Sequence, residues 1–480
     1  MKNLIYSYKY LLIVIVAIMT SLFFLFDDLV LGEYLFLSGD SLSSKTIKHA
    51  INEEVRINND YPDWLPWIFS GLPSTHSMQN VSNYYFPNYL MLALNDIGIP
   101  WFWNYIFHYL FCCIGLYLLL RELKLSFIPS LFGCLSFSLT PYITTMIVHG
   151  HGSQMMTAAY IPWAIFSLLR LKNSPSLLNS LFFGILLGLQ LQRGHVQIAY
   201  YTWMMIAAFL IMDGFFKDYK RIIIKEELKK ILIENKLFYR YAFLSLVIAL
   251  GLCAWLYLPL LNYSSSSIRT ITASSDSFIY STMWSLHPKE IITFFFPSSY
   301  GFGGTTYWGY MPFTDYPNYI GIYVFIFSFI GMFFSKNNYK SFFSFILIFS
   351  IIIAFGKFSP IYKILYYYLP FFEKFRVPSM ILIISQFCFS ILAAMGMQCF
   401  LKNIFESNKI NIFKFSTYSS ILVLTISYLF YKLVNFGDKS HPILDSFRFQ
   451  IMSEDLIVIT VLLVFLLLGL YLINYKNNNM

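Results

Sequence analysis

The amino-acid sequence predicts an all-α polytopic membrane protein with about twelve transmembrane helices, and three observations carry that expectation. The first is composition: of 480 residues, 58% are hydrophobic and 12% charged, and the mean hydropathy is +0.61. A soluble domain carries about 25% charged residues. The second is a succession of apolar runs long enough to cross a hydrocarbon core of about 30 Å, which needs about 20 residues of helix. The third is a lopsided distribution of positive charge between those runs.

The apolar runs lie near residues 10–31, 99–120, 127–148, 153–171, 177–193, 195–216, 241–262, 317–335, 341–357, 379–401, 416–434 and 455–474. The first follows Lys2 and Lys9 as a signal peptide would. Phe24–Asp27 offers no small-residue cleavage site, so it reads as a retained helix. Twelve spans put both termini on one side. With the N-terminus cytoplasmic, the inside segments hold 20 of the 33 Lys and Arg against 7 of the 24 acids, a balance of +13. The outside is left with −4, the asymmetry that the positive-inside rule requires. It also explains a formal net charge of +9 without nucleic acid, for which no recognition motif is present.

The whole of residues 1–480 is expected to form a single membrane domain. Residues 217–240, with eight Lys and Arg, read as a basic amphipathic segment on anionic cytoplasmic lipid. Two large outside loops remain, 32–98 and 263–316, where interfacial helices are expected. The six cysteines all fall in apolar runs and show neither a disulfide framework nor zinc-type spacing.

Candidate functional residues gather at the outside ends of the helices. Asp40, in Ser38-Gly39-Asp40-Ser41, follows the first helix and precedes a helical stretch over 42–56 that Ser41 and Ser43 could cap. A carboxylate at the membrane surface can act as general base or ligate a divalent cation, or it can simply cap the helix. The next outside turns read His149-Gly150-His151-Gly152 and Arg193-Gly194-His195-Val196-Gln197. Imidazoles and a guanidinium there can bind phosphate or relay protons, or anchor the chain at the interface. The second loop offers His287, Glu290, Tyr300, Trp308 and Asp315 around a Gly-rich run. Gly-rich backbone beside aromatic rings suits a sugar, and equally a plain structured turn. The run lacks the Gly-Lys-Ser/Thr ending of a P-loop. Arg376, just outside the tenth helix, can clamp a lipid diphosphate or snorkel to the interface.

These motifs, in their order along residues 10–400, resemble the bacterial YfhO-type membrane protein family and, more broadly, the GT-C glycosyltransferase architecture. The residues that carry the resemblance are Gly39-Asp40, the Gly71-Leu72-Pro73 and Tyr85-Phe86-Pro87 elements, His149 and His151, Arg193 to Gln197, Tyr300 to Gly309, and Phe375 to Pro378. The resemblance implies a multi-pass enzyme of the bacterial cytoplasmic (inner) membrane, with both termini cytoplasmic. Its donor would be a polyprenyl-phosphate-linked sugar, and its acceptor an envelope glycan or protein on the outer face. Asp40 would be the catalytic base. His149, His151, Arg193, His195 and Arg376 would bind lipid phosphate, and Gln197, His287, Glu290, Tyr300, Trp308 and Asp315 the sugar or acceptor. The sequence offers one Asp where several GT-C families keep an adjacent acidic pair. A lipid or glycolipid flippase is the main rival, with a non-catalytic envelope-assembly protein as a third reading. A transporter would place charges at mid-membrane, where this sequence has almost none.

Overall fold

A computed structural model describes residues 2–32, 36, 38–74, 76, 85–216, 235–264, 275–301, 303–314, 316–405 and 410–478. These fold almost entirely as helix. The first helices are α1 (Lys2–Val30), α2 (Gly39–Asn58), α3 (Asn88–Asp96), α4 (Trp103–Glu122), α5 (Phe127–Ser138) and α6 (Pro141–Val148). There follow α7 (Gly152–Ala158), α8 (Ile161–Asn173), α9 (Leu177–Gln192), α10 (Val196–Phe216), α11 (Lys236–Ser264) and α12 (Ser275–Ser281). The last are α13 (Ile322–Phe334), α14 (Lys340–Ala354), α15 (Pro360–Tyr368), α16 (Leu382–Phe405), α17 (Ile410–Leu433) and α18 (Pro442–Asn478). One antiparallel pair of two-residue strands, Trp64–Leu65 with Leu72–Pro73, sits in the first loop.

Seven of the described helical segments are long and apolar enough to cross a membrane, a finding that agrees with an all-α membrane protein. Helix α1 shows what such a segment looks like. Val14, Ile18, Leu22, Phe26 and Leu29 are buried along one stripe, while Leu12, Val16, Phe23, Phe24 and Leu25 between them are 49–80% exposed. A continuous apolar surface of that kind is stable against lipid and not against water.

The other expected spans are shorter. Helices α9, α13 and α14 and residues 196–212 of α10 are apolar, but the 13 residues of α13 reach only about 20 Å. The run 153–171, expected as one span, is broken between α7 and α8. Pro162 supplies no amide hydrogen, and its ring opposes the carbonyl four residues back. The run 127–148 bends at Leu139-Thr140, ahead of Pro141, and is still one of the seven membrane-length segments. At the other end, residues 442–454 belong to α18 instead of an outside turn, so the final helix runs on well past its apolar run.

The chain divides into two compact units, residues 1–122 with 146–274 and residues 123–145 with 275–480. In the first, α4 packs on α1, and the Trp103 indole N–H donates to the Val30 carbonyl at 3.2 Å. Helices α9 and α11 approach closely through Ser180, Gly184 and Gly188, small residues one turn apart. A Cβ at Gly184 would stand 2.7 Å from the Ser245 carbonyl oxygen. Small residues at such intervals let helix backbones meet in lipid. The second unit is built on α16, crossed by α13 at a reciprocal pair of glycines. A Cβ on Gly331 or Gly396 would lie 1.9 Å from the carbonyl oxygen of Leu392 or Phe327.

Candidate functional site

In the first unit, Asp40 stands in the opening turn of α2. The cap is Ser38, whose hydroxyl accepts from the Ser41 amide at 3.3 Å, so Ser41 and Ser43 do not cap as the sequence suggested. An acid in this turn complements the helix dipole, but the Asp40 carboxylate is turned elsewhere. Its Oδ2 lies 3.0 Å from Nε2 of His151.

Gly150 makes that meeting possible. Its φ is +83°, and a Cβ there would sit 2.4 Å from the Ser41 nitrogen and 2.9 Å from the Asp40 carbonyl carbon. The backbone of the 149–152 turn therefore lies directly on the start of α2, and a side chain would push the two apart. With Asp40 71% exposed, the pair adds little stability. What it provides is an accessible carboxylate held in place by an imidazole.

On the other side of the same turn, Gly152 packs against Tyr105: a Cβ there would meet the Tyr105 hydroxyl at 2.4 Å. Tyr105 in turn is one of three tyrosines, with Tyr85 and Tyr160, that interact electrostatically with Arg193. Arg193 is 92% buried, being 8% exposed. Its guanidinium lies over the Tyr85 ring at 5.1 Å from the centroid, and its Nε has no hydrogen-bond partner among the described residues. Among the described residues no carboxylate pairs with it. Burying an unpaired cation costs several kcal/mol, roughly, beyond what a cation–π contact returns. A site that keeps such a cation is complementary to an anion.

The wall behind Arg193 is a directed hydrogen-bond chain. His108 Nδ1 is 2.6 Å from the Asn104 carbonyl, which can only accept, so Nδ1 carries the proton. Nε2 is then the acceptor for the Tyr85 hydroxyl at 2.9 Å. Tyr85 in turn accepts from Tyr160 at 2.6 Å. Burial raises the Tyr85 phenol above its ordinary pKa, which keeps it protonated and able to donate.

His195 and Gln197 complete the turn after Arg193. Burial, with the neighbouring His151 as the next cause, holds the His195 imidazole down at about 4. At neutral pH it is therefore uncharged, and positive charge on this side of the site falls to Arg193. The unfolded chain binds a proton at His195 near pH 6.5 and the folded chain only near 4. Stability is thus complete above about 6.5 and declines as pH falls toward 4. The thermal midpoint of the full chain should fall over that window, and His195→Gln should flatten the slope. An unaltered slope in that variant would assign the effect to another group. Gln197 is buried, with its amide N–H donating to the Tyr201 hydroxyl at 2.8 Å. His149 lies in the same turn as His151.

The second unit holds the remaining sequence candidates. Glu290 is 1% exposed, and its carboxylate is wholly engaged. Oε1 accepts from the Tyr307 hydroxyl at 2.5 Å and the Tyr310 amide at 2.9 Å, and Oε2 accepts from the His287 amide at 3.2 Å in a capping box. Gly309 passes so close that a Cβ would meet Oε1 at 1.9 Å. Burial and this carboxylate together push the Tyr307 phenol well up. The His287 ring stacks on Tyr310 at 3.7 Å between centroids, and Tyr300 stacks on Trp308 at 4.6 Å. These residues hold the loop's own shape. Arg376 is exposed and donates to the Tyr280 hydroxyl at 2.7 Å. Asp315 lies outside the described residues, as do residues 217–234 of the basic segment.

Two residues that sequence reasoning passed over secure this loop. Arg448, 3% exposed, donates from Nε to the Thr306 carbonyl at 3.0 Å, and from Nη1 to the Lys439 carbonyl at 2.8 Å and to Asp445 at 3.0 Å. Asp455 accepts from the Ser298 amide at 2.8 Å. The signal available in the sequence was the group of charges just ahead of the final apolar run. Among the described residues, no three His, Cys, Asp or Glu side chains converge as a metal site. No protein-family model matches the chain, and no curated protein matches it.

Proposed function

We propose that the chain is a membrane glycosyltransferase that moves a sugar from a polyprenyl-phosphate donor to an acceptor hydroxyl in the cell envelope, at the outer face of the cytoplasmic membrane. The observation that carries this reading is a buried guanidinium without a carboxylate partner among the described residues, joined through Tyr105 and the 149–152 turn to an accessible Asp40–His151 pair.

The two halves of that site match the two ends of the reaction. Arg193 holds the phosphate, whose charge grows as the glycosidic C–O bond breaks and the electron pair goes to the phosphate oxygen. Asp40 takes the proton from the acceptor hydroxyl as its oxygen attacks the anomeric carbon, with His151 fixing the carboxylate. The products are the glycosylated acceptor and a polyprenyl phosphate.

The test is transfer of labelled sugar from a polyprenyl-phosphate-linked donor in vesicles carrying the full chain and envelope acceptors. Sugar transfer above that of empty vesicles is expected. Donor carried across the bilayer with its sugar still attached would favour a flippase instead.

A further inference from the structure

We propose that the connection between α14 and α16 is a headgroup-binding platform selective for anionic phospholipid. Helices α14 and α16 are both apolar, and residues 378–402 form one of the seven membrane-length segments. With both helices in lipid, the residues that join them, 355–377, would be held at one edge of the bilayer at both ends. They carry Lys357, Lys363, Lys374 and Arg376 against a single acid, Glu373. On the sidedness read from the whole chain this connection lies outside, where acids otherwise prevail, so four cations here run against the trend.

The platform is built, with an inner face committed to the protein. Tyr362 and Tyr366 of α15 are buried, and Tyr366 shares a hydrogen bond with Ser277 at 2.9 Å. Phe278 of α12 meets Tyr366 edge-on at 5.1 Å, and Phe372 closes on Tyr362 at 5.2 Å. Phe371 and Val377 take φ values of +66° and +62°, a conformation side chains rarely adopt, so the segment is held by its surroundings.

The outer face presents Ile364 at 57%, Tyr367 at 61%, Tyr368 at 83% and Phe371 at 59% exposure. Lys363 is exposed on the same helix, and Lys357 and Arg376 at the ends of the connection. Exposed aromatic rings partition to the headgroup level of a bilayer, and lysines among them select phosphate-bearing, net-negative lipids. Each cation near an anionic surface strengthens the association about fivefold.

The experiment uses the full chain with a fluorophore at Y368C, in a C399S background because Cys399 is the cysteine not fully buried. The chain is placed in phosphatidylcholine vesicles titrated with brominated phosphatidylglycerol or with brominated phosphatidylcholine. The anionic quencher should reach half-quenching at the lower fraction. K357Q/K363Q should weaken that preference about fivefold per charge removed, and K357R/K363R should keep it. Equal quenching by both lipids, an unaltered preference in K357Q/K363Q, or its loss in folded K357R/K363R would each overturn the proposal.

Discussion

Replacing Arg193 by methionine should cut sugar transfer by about 10²-fold or more while leaving the folded chain at least as stable. The two halves of that outcome come from one fact, a guanidinium 8% exposed with no carboxylate partner among the described residues. An apolar side chain of similar length removes the cost of an unpaired buried charge, so the thermal midpoint should hold or rise. The same change removes the group that stabilises the leaving phosphate, and loss of one such donor costs about 10²–10³ in rate. Arg193→Lys keeps the charge without the planar fork and should fall between. A purely structural arginine would give the reverse pattern, with a lowered midpoint and transfer retained in whatever protein still folds.

Asp40→Asn should lower transfer by about 10²–10⁴-fold, the range expected for a positioned general base. The stability effect should be small by comparison. The amide oxygen of Asn can still meet His151, Ser38 still caps α2, and the lost helix-dipole term is about 0.3–1 kcal/mol. KM for the donor should change little, because the phosphate is held elsewhere. Transfer by Asp40→Asn at the parent rate would remove the residue from the mechanism. A matching loss of donor affinity would move it to the phosphate.

Asp40, His151 and Arg193 were all legible as polar residues at helix mouths, because apolar runs on either side place them there. Their relation was not legible. Asp40 and His151 are 111 positions apart, and what joins them is the lack of a side chain at Gly150, a property that acquires meaning only once α2 lies against it. Arg193 read as a phosphate-binding or anchoring cation at a helix mouth, and nothing in the sequence marked it as buried. Its burial depends on Tyr85, Tyr105 and Tyr160, which come from three separate segments in a chain with 37 tyrosines.

The Gly-rich loop shows the opposite case. Tyr300, Trp308 and Glu290 suited a sugar site and a plain structured turn equally, since a sequence shows residue types and not their partners. The structure pairs the two rings with each other and gives the carboxylate three donors from its own loop. The clamp by Arg448 and Asp455 was hidden by a helix boundary. Hydropathy ended the last span near residue 455, while the helix itself begins at Pro442. Hydropathy reports where lipid is tolerated, and helices continue beyond that limit.

On the proposed function, the anion held at Arg193 is the phosphate of a polyprenyl-linked donor. Cryo-electron microscopy of the full chain in a lipid nanodisc, with a non-transferable polyprenyl-phosphate sugar analogue, addresses it directly. The account predicts the donor phosphate within about 3 Å of the Arg193 guanidinium, with the anomeric carbon turned toward Asp40 and His151. A phosphate bound away from Arg193, or an analogue that leaves this site empty at saturating concentration, would contradict it.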